Sequence, residues 1–227
     1  NRDSAVAIVT VLDTISPLAL VQNITVYLDT SGNVSIVASD IDNGSTDNCS
    51  SVNISIDTTS FNCSDLGTNN VILTVTDGSG NISFATAAVT VADTTSPTVA
   101  AQNITVYLDT SGNVSIVATD IDNGSGDNCS TVTLVIDTAA FDCSDLGTNN
   151  VTLTVTDGSS NTSTATAVVT VVDTTSPVAI VQNITVYLDT SGNASVVAAD
   201  LDNGSGDNCS TVTLAIVTAA FDCSDLG

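Results

Sequence analysis

The chain of 227 residues contains no lysine and no histidine, and Arg2 is its one basic residue. All 25 acidic residues are aspartates, so the formal net charge is −24 at pH 7. Without His or Lys the chain lacks the usual general base, Schiff-base amine and imidazole metal ligand. Its charge repels nucleic acid and anionic membrane surfaces. We therefore expect a protein that is not an enzyme and has no nucleic-acid partner.

Long apolar runs and aromatic residues are also scarce. No stretch reaches the ~18 consecutive apolar residues that cross a bilayer, so we expect no membrane insertion in this segment. Aromatic residues make up 3% of the chain, but hydrophobic residues make up 42%, which is more than disordered chains usually contain. This composition predicts folded domains with thin cores of Val, Ile, Leu and Ala, which need a covalent crosslink for stability.

An 80-residue repeat organises the sequence. The run QNITVYLDTSGN begins at Gln22 and again at Gln102, and residues 13–92 match residues 93–172 at 60 of 80 positions. Self-similarity of this kind indicates tandem modules. We expect the last strand of a preceding repeat at 1–13, whole repeats at 14–93 and 94–173, and an incomplete repeat at 174–227, as in a window from a longer array. Alternatively, a neighbouring subunit supplies the strand that the last repeat lacks.

Within each repeat, apolar residues recur at every second position. Val71, Leu73 and Val75 alternate with polar residues, as half-buried strands do. Turn sequences such as DTSGN at Asp29 and DGSGN at Asp77 separate the runs, and no segment has a helical period. The pattern predicts an all-β fold of tandem immunoglobulin-like β-sandwich repeats, with six or seven strands each, in an elongated array.

The six cysteines form three evenly spaced pairs, which is typical of disulfides in an oxidising compartment. A hairpin centred near Ile56 would bring Cys49 opposite Cys63, closing a loop of about 15 residues worth roughly 3 kcal/mol. The alternative is free buried thiols. We predict one disulfide inside each repeat, with the bonded pairs Cys49 and Cys63, Cys129 and Cys143, and Cys209 and Cys223.

An acidic loop, DIDNGSTDN from Asp40, precedes the first cysteine of each pair. Carboxylate and amide oxygens crowded together without basic residues suit Ca²⁺, although the spacing is not that of an EF-hand. The loops of a sandwich should bring these residues to the linker through which the chain enters their own repeat. In the second repeat this places Asp120, Asp122, Asp127 and Asp157 near the linker 93–97, and the turn at Asp29 of the preceding repeat should reach the same junction. The alternative is that they only cap turns. The predicted Ca²⁺ ligands are Asp40, Asp42, Asp47, Asp93, Asp120, Asp122, Asp127, Asp157, Asp173, Asp200, Asp202 and Asp207.

Glycosylation signals are dense, since 17 of the 21 asparagines lie in N-x-S/T triplets. Some triplets coincide with turn or cysteine motifs, and the repeat copies each coincidence. Asp-Ser/Thr-apolar triplets such as that at Asp137 offer O-glycosylation as an alternative. The candidate N-glycosylation sites are Asn23, Asn33, Asn53, Asn103, Asn113, Asn183 and Asn193.

The run DTTSPTVAAQNITVYLDTSGNVSIVATDIDNGSGDNCS, followed by FDCSDLGTNNVTLTVTDGSSNTSTATAVVTV, resembles the hyalin-type repeats of Bacteroidetes surface proteins, which include gliding and attachment adhesins. The resemblance spans nearly the whole chain. It implies an immunoglobulin-like fold, export to the cell surface and an adhesive or structural use, and it implies no catalytic residues. The dense sequons depart from what a bacterial protein requires.

Together these patterns predict a structural region of an extracellular filament, stalk or cell-surface adhesin, stiffened by disulfides and Ca²⁺. Its expected partners are adjacent repeats or other copies of the chain. One alternative is an adhesive module whose repeated loops bind a glycan or receptor with avidity. Another is an accessory region of an enzyme whose catalytic domain lies elsewhere.

Overall fold

A computed structural model describes residues 2–227 of the chain. The first repeat contains β1 Ile24–Tyr27, β2 Asn33–Ser35, α1 Ala38–Ile41, β3 Asn53–Ile56, β4 Ser60–Asn62, β5 Gly67–Thr76 and β6 Ile82–Ala92. The second contains β7 Ile104–Tyr107, β8 Asn113–Ser115, α2 Ala118–Ile121, β9 Thr133–Ile136, β10 Ala140–Asp142, β11 Gly147–Thr156 and β12 Thr162–Val172. The third contains β13 Asn193–Ser195, α3 Ala198–Leu201 and β14 Ala220–Asp222. Short 3-10 turns lie at Cys63–Asp65, Cys143–Asp145 and Cys223–Asp225.

Each complete repeat pairs its strands in two sheets. In the first repeat the larger sheet has the order β1-β6-β5-β3, and β2 pairs with β4 in the smaller one. Strand β1 runs parallel to β6, with Ile24 opposite Val89, and β5 and β6 form a long antiparallel hairpin. The second repeat has the same two sheets, β7-β12-β11-β9 and β8-β10. The predicted all-β fold of immunoglobulin-like sandwich repeats is therefore confirmed.

The predicted alternation places the core between the sheets. Val71, Leu73 and Val75 of β5 and Val89 of β6 are fully buried, whereas Ile72 keeps 40% of its surface exposed. The remaining core residues of the first repeat are Leu28, Ile36, Ile41, Phe61, Ala87 and Val91. Apolar residues at successive odd positions of β5 thus define its buried face.

Three single-turn helices depart from the sequence prediction of strands without helices. The alternation through Val34 and Ile36 predicts a strand as far as Ala38, but β2 ends at Ser35 and α1 begins at Ala38. An Asp40 carboxylate oxygen accepts a hydrogen bond from the Val37 backbone N–H at 2.8 Å, which stabilises the start of this turn. None of the helices within residues 2–227 has the length or apolar character needed to span a membrane.

The described chain divides into two compact units. The first contains the chain up to Val99 together with Ser125–Thr133 and Val155–Ser163. The second contains Ala100–Gly124, Leu134–Thr154 and Thr164–Gly227. A loop and a hairpin end from the second repeat therefore belong to the same unit as the first repeat. The repeat boundaries expected at 14–93, 94–173 and 174–227 concern the sequence period and stay a prediction.

Candidate functional site

The candidate site is a junction loop, Asp127–Ser130, which lies in the first unit. One carboxylate oxygen of Asp127, Oδ2, accepts the backbone N–H groups of Cys129 at 2.9 Å and Ser130 at 3.1 Å. The Ser130 hydroxyl in turn accepts the Gly158 N–H at 2.8 Å. Short aspartate-capped turns of this kind form wherever Asp precedes unpaired backbone N–H groups. The second Asp127 oxygen, Oδ1, accepts neither of these bonds and is buried.

The hairpin between β11 and β12 supplies the second carboxylate. Asp157 Oδ1 accepts the N–H groups of Ser159 and Asn161, each at 2.8 Å. The Asn161 side chain donates to Asp157 Oδ2 at 2.8 Å and to the Asp93 carbonyl at 3.3 Å. Asn161 therefore ties this hairpin to the chain segment that follows β6.

The third carboxylate belongs to Asp93, directly after β6. Its Oδ1 accepts the Thr95 N–H at 2.9 Å, while its Oδ2 is buried and has no hydrogen-bond partner. Asp127 Oδ1 is also buried without a partner. One carboxylate oxygen from each of Asp93, Asp127 and Asp157 lies within 4.8 Å of the other two. Asp93 and Asp157 are each only 6% exposed.

The same cluster occurs 80 residues earlier, where Asp13, Asp47 and Asp77 bring their carboxylate oxygens within 4.8 Å of one another. Asp13 Oδ2 and Asp47 Oδ1 are again buried without partners. Desolvation alone would raise the pKa of Asp77, but hydrogen bonds from Asn81, Ser79 and Gly80 outweigh it and lower that pKa. This carboxyl is consequently held as the anion, the form that binds a cation.

The predicted Ca²⁺ ligands fall into two groups. The clusters contain four of them, Asp47, Asp93, Asp127 and Asp157, and add Asp13 and Asp77, which sequence reasoning missed. The missed pair was detectable, because shifting Asp93 and Asp157 back by one repeat gives Asp13 and Asp77. The remaining predicted ligands lie outside the two clusters: Asp40, Asp42, Asp120, Asp122, Asp173, Asp200, Asp202 and Asp207.

Several of those remaining aspartates cap turns. The carboxylates of Asp40, Asp120 and Asp200 each accept the backbone N–H three residues earlier, at 2.7–2.8 Å. Hydrogen bonds from Ser205, from both its side chain and its backbone, lower the pKa of Asp202. The interpretation of these loops as turn chemistry therefore has direct support at these positions.

The predicted disulfide pairing within each repeat is wrong. Cys63 is bonded to Cys129 and Cys143 to Cys209, each pair 66 residues apart in sequence. Cys49 and Cys223 are exposed free thiols. The physical reason is that β3 and β4 form no hairpin, since β3 pairs with β5 in one sheet and β4 with β2 in the other. The disulfides therefore join successive repeats.

The first disulfide is packed against the turn between β1 and β2. Gly32 has a φ of +74°, and a Cβ there would lie 2.5 Å from the Cys63 sulfur and 3.2 Å from the Cys129 sulfur. The Asn128 side chain donates to the Asp29 carbonyl of the same turn at 3.2 Å. As expected from the sequence, the Asp29 turn thus reaches the junction, although its carboxylate caps its own turn through Ser31.

All seven candidate N-glycosylation asparagines are exposed. In two of them the side-chain oxygen accepts a backbone N–H group. Asn23 accepts the Ala88 N–H and Asn103 accepts the Val168 N–H, each at 2.8 Å. Asn81 and Asn161 also lie in sequons, but their side-chain nitrogens are engaged at the acidic clusters. Glycosylation at the seven sites stays a prediction.

No family model matches the chain, and no curated protein matches it. The likeness to hyalin-type repeats therefore stays a prediction. Similar solved structures include human mucin-like protocadherin EC1-2, at 15% identity over 70% of this chain and 98% of that one, with a TM-score of 0.35. Drosophila N-cadherin EC1-4 is 10% identical over 69% of this chain and 49% of that one, with a TM-score of 0.40. An endo-fucoidan hydrolase of glycoside hydrolase family 107 is 15% identical over 70% of this chain, with a TM-score of 0.28, and the chain spans 29% of its length.

Proposed function

We propose that this chain is a structural repeat region of an extracellular filament, stalk or cell-surface adhesin, in which disulfides and Ca²⁺ stiffen the joints between repeats. The observation that carries the proposal is the buried, unpartnered Oδ2 of Asp93, a residue that is clustered with two further carboxylates beside a disulfide between repeats. A covalent bond and a cation at one joint suit an array of repeats that transmits tension. The two disulfides support a function outside the cell, because disulfides form and persist in oxidising compartments.

The electrostatics of the cluster favour a divalent cation. Two carboxylates about 5 Å apart repel each other by roughly 3 kcal/mol at an effective dielectric constant of 20. The one basic residue of the chain is Arg2, so the protein has little positive charge with which to offset this repulsion. A bound divalent cation would turn the repulsion into attraction and satisfy the buried oxygens of Asp93 and Asp127.

The donor set fits Ca²⁺. All three donors are carboxylate oxygens, which Ca²⁺ binds at about 2.4 Å, so that ligands on opposite sides of the ion lie about 4.8 Å apart. The three oxygens of the cluster lie within that span of one another. Asp93, Asp127 and Asp157 would hold the ion, which would neutralise charge and crosslink three chain segments.

A structural role also agrees with the absence of His and Lys, two residues on which many active sites depend. The carboxylates of the chain recur in identical clusters in successive repeats, whereas an active site is built once and differs from its surroundings. The expected partners are adjacent repeats or other copies of the chain, and exposed sequons offer positions for sugars at the surface.

Calcium titration by isothermal calorimetry tests the proposal on the 227-residue chain. We expect two sites, with affinities in the range of extracellular modules, about 10⁻⁴–10⁻³ M. Asp93→Asn keeps the acceptor for Thr95 but removes one charge from the second cluster, and it should eliminate one of the two sites. Asp57→Asn makes the same charge change outside both clusters and should leave two. Equal calcium uptake by all three proteins, or none at millimolar Ca²⁺, would refute the cation site.

A further inference from the structure

The Cys63–Cys129 disulfide and the aspartate cluster around Asp93 share one loop, Asp127–Ser130. Asp127 contributes a carboxylate to the cluster, and Cys129, two residues further on, contributes one sulfur of the disulfide. Asp127 Oδ2 also accepts the backbone N–H of Cys129 at 2.9 Å. Because only one residue separates them and this bond joins them, a displacement of Cys129 should move the Asp127 carboxylate.

The disulfide holds this loop against the turn at Gly32. The Cys63 sulfur lies 3.5 Å from the Asn128 carbonyl oxygen and 3.7 Å from the Gly32 carbonyl oxygen. The Asn128 side chain donates an exposed hydrogen bond to the Asp29 carbonyl at 3.2 Å. An exposed hydrogen bond contributes little to stability, because water competes for both of its partners. The covalent bond is therefore the strongest of these restraints on the loop.

The end of the same loop contacts the hairpin that carries Asp157. The Ser130 hydroxyl accepts the N–H of Gly158, the residue directly after Asp157, at 2.8 Å. A Cβ on Gly158 would lie only 3.0 Å from the Ser130 Cβ. The loop is thus restrained at Cys129 by the disulfide and at Ser130 by this contact, and together the two restraints set the position of Asp127 relative to Asp157. Loss of the disulfide removes one of them.

Repulsion within the cluster acts on the loop when no cation is bound. One carboxylate oxygen from each of Asp93, Asp127 and Asp157 lies within 4.8 Å of the other two, and like charges at this separation repel each other. A loop released from the disulfide should therefore move Asp127 away from the other two carboxylates. In the bridged chain the disulfide opposes that movement.

We propose that the Cys63–Cys129 disulfide regulates the cation site of Asp93, Asp127 and Asp157, an inference that rests on the proposed Ca²⁺ binding. With the bridge formed, the loop is ordered before the ion binds, and binding is tighter for that reason. Reduction of the bridge frees the loop and lowers the affinity for Ca²⁺. Because coupling between two equilibria is reciprocal, bound Ca²⁺ makes the bridge harder to reduce by the same factor.

The redox step requires a thiol reductant from the surroundings. A small dithiol transfers two electrons and two protons to the bridge, so that the bond between Cys63 and Cys129 breaks, two thiols form, and the dithiol closes into a disulfide. Both cysteines keep part of their surface exposed, which gives a small dithiol access to the bridge. A reducing environment would then remove the crosslink and the cation from the same joint.

Calcium calorimetry on two double variants of the 227-residue chain tests the effect of the bridge on the ion. Cys63→Ser with Cys129→Ser removes the first disulfide and keeps the backbone N–H that Asp127 accepts. It should weaken one of the two Ca²⁺ sites about tenfold, which is within the usual range of coupling between sites. Cys143→Ser with Cys209→Ser removes the other disulfide and should leave both affinities unchanged.

Two unchanged sites in the first variant, or equal weakening in both variants, would overturn the coupling and leave the cation site standing. No calcium uptake by the wild-type chain would overturn the cation site and the coupling together.

Redox titration gives the reciprocal measurement on an intact bridge, so it remains decisive if the first variant fails to fold. The chain is equilibrated in dithiothreitol buffers of increasing reducing strength, thiols are trapped with iodoacetamide, and mass spectrometry reports the reduced fraction of each bridge. Saturating Ca²⁺ should raise the ratio of reduced to oxidised dithiothreitol at the Cys63–Cys129 midpoint about tenfold, which corresponds to about 30 mV. The Cys143–Cys209 midpoint should not move.

Asp93→Asn is the control for this titration, because it removes a cation ligand and leaves both bridges in place. In this variant Ca²⁺ should no longer shift the Cys63–Cys129 midpoint. Equal midpoints with and without Ca²⁺ in a wild-type chain that binds two ions would refute the proposal, and so would a shift of the same size at both bridges.

Discussion

At the scale of single residues, the aspartates of this chain have two separable tasks. Most cap turns by accepting backbone N–H groups, as Asp40 and Asp29 do. In each cluster, two residues also leave one oxygen buried and without a partner, such as Asp93 Oδ2 and Asp127 Oδ1. The sequence places both kinds in similar turn motifs, so that only the three-dimensional positions separate a cap from a cluster member.

Gly32 provides a test at this scale. Gly32→Ala adds a methyl group 2.5 Å from the Cys63 sulfur, at a residue with φ of +74°. We expect slower or incomplete formation of the Cys63–Cys129 disulfide, because the methyl group and a sulfur cannot share that space. Counting free thiols after refolding measures the effect.

Gly44→Ala is the matched control, since Gly44 has a similar φ of +84° with nothing within 4 Å of the added Cβ. It should lose about 1–2 kcal/mol of unfolding free energy from left-handed backbone strain alone and still form both disulfides. Equal free-thiol counts in the two variants would contradict the steric argument.

At the scale of elements, the strands were predictable and their partners were not. Alternation through Val71, Leu73 and Val75 identifies the buried face of β5 because successive side chains point to opposite faces of a strand. Alternation carries no information about which strands pair. Cys63 has Cys49 before it and Cys129 after it in the sequence. The spacing alone does not show which of the two is its disulfide partner. The choice depends on β4 crossing to the sheet of β2.

Adjacent residues of β5 give a paired prediction. Leu73→Ala removes a fully buried side chain and should lower the unfolding free energy of its unit by about 2–5 kcal/mol. Ile72→Thr changes the outward face and introduces the residue found at the equivalent position, Thr152. Its effect should lie within about 0.5 kcal/mol.

Urea unfolding of both variants, monitored by circular dichroism, checks this pair of expectations. A loss for Ile72→Thr as large as that for Leu73→Ala would mean that the two faces of the sheet are not distinguished as the structure has them.

At the scale of the whole molecule, the joints between repeats carry the functional proposal. The 80-residue period was readable from the sequence, and so was the approach of Asp127 and Asp157 to the linker at Asp93. The disulfide to the preceding repeat was not predictable. In a periodic sequence a cysteine can pair equally well with one in its own repeat or with one in the next repeat. Only the crossing of strands between sheets settles that choice.

Removal of calcium should loosen these joints. Small-angle scattering of the wild-type chain with Ca²⁺ and then with a chelator should show a broader distribution of interatomic distances after chelation. Without the cation the carboxylates repel each other and the three chain segments lose their common ligand, and both effects should broaden the distribution. Asp93→Asn should already resemble the chelated state in part, and Asp57→Asn should respond like the wild type. Identical scattering curves with and without Ca²⁺ would rule out stiffening by the cation.

The connectivity of the disulfides has a mechanical consequence. A pull along the chain enters the first bridge at Cys63 and leaves it at Cys129, so that the residues between them bear no tension even when unfolded. The next bridge begins at Cys143, only 14 residues further on. The chain between the two bridges can therefore span about 50 Å at most, compared with roughly 280 Å for a freely extending 80-residue segment. A tether with this connectivity would extend over a short distance and then resist further extension.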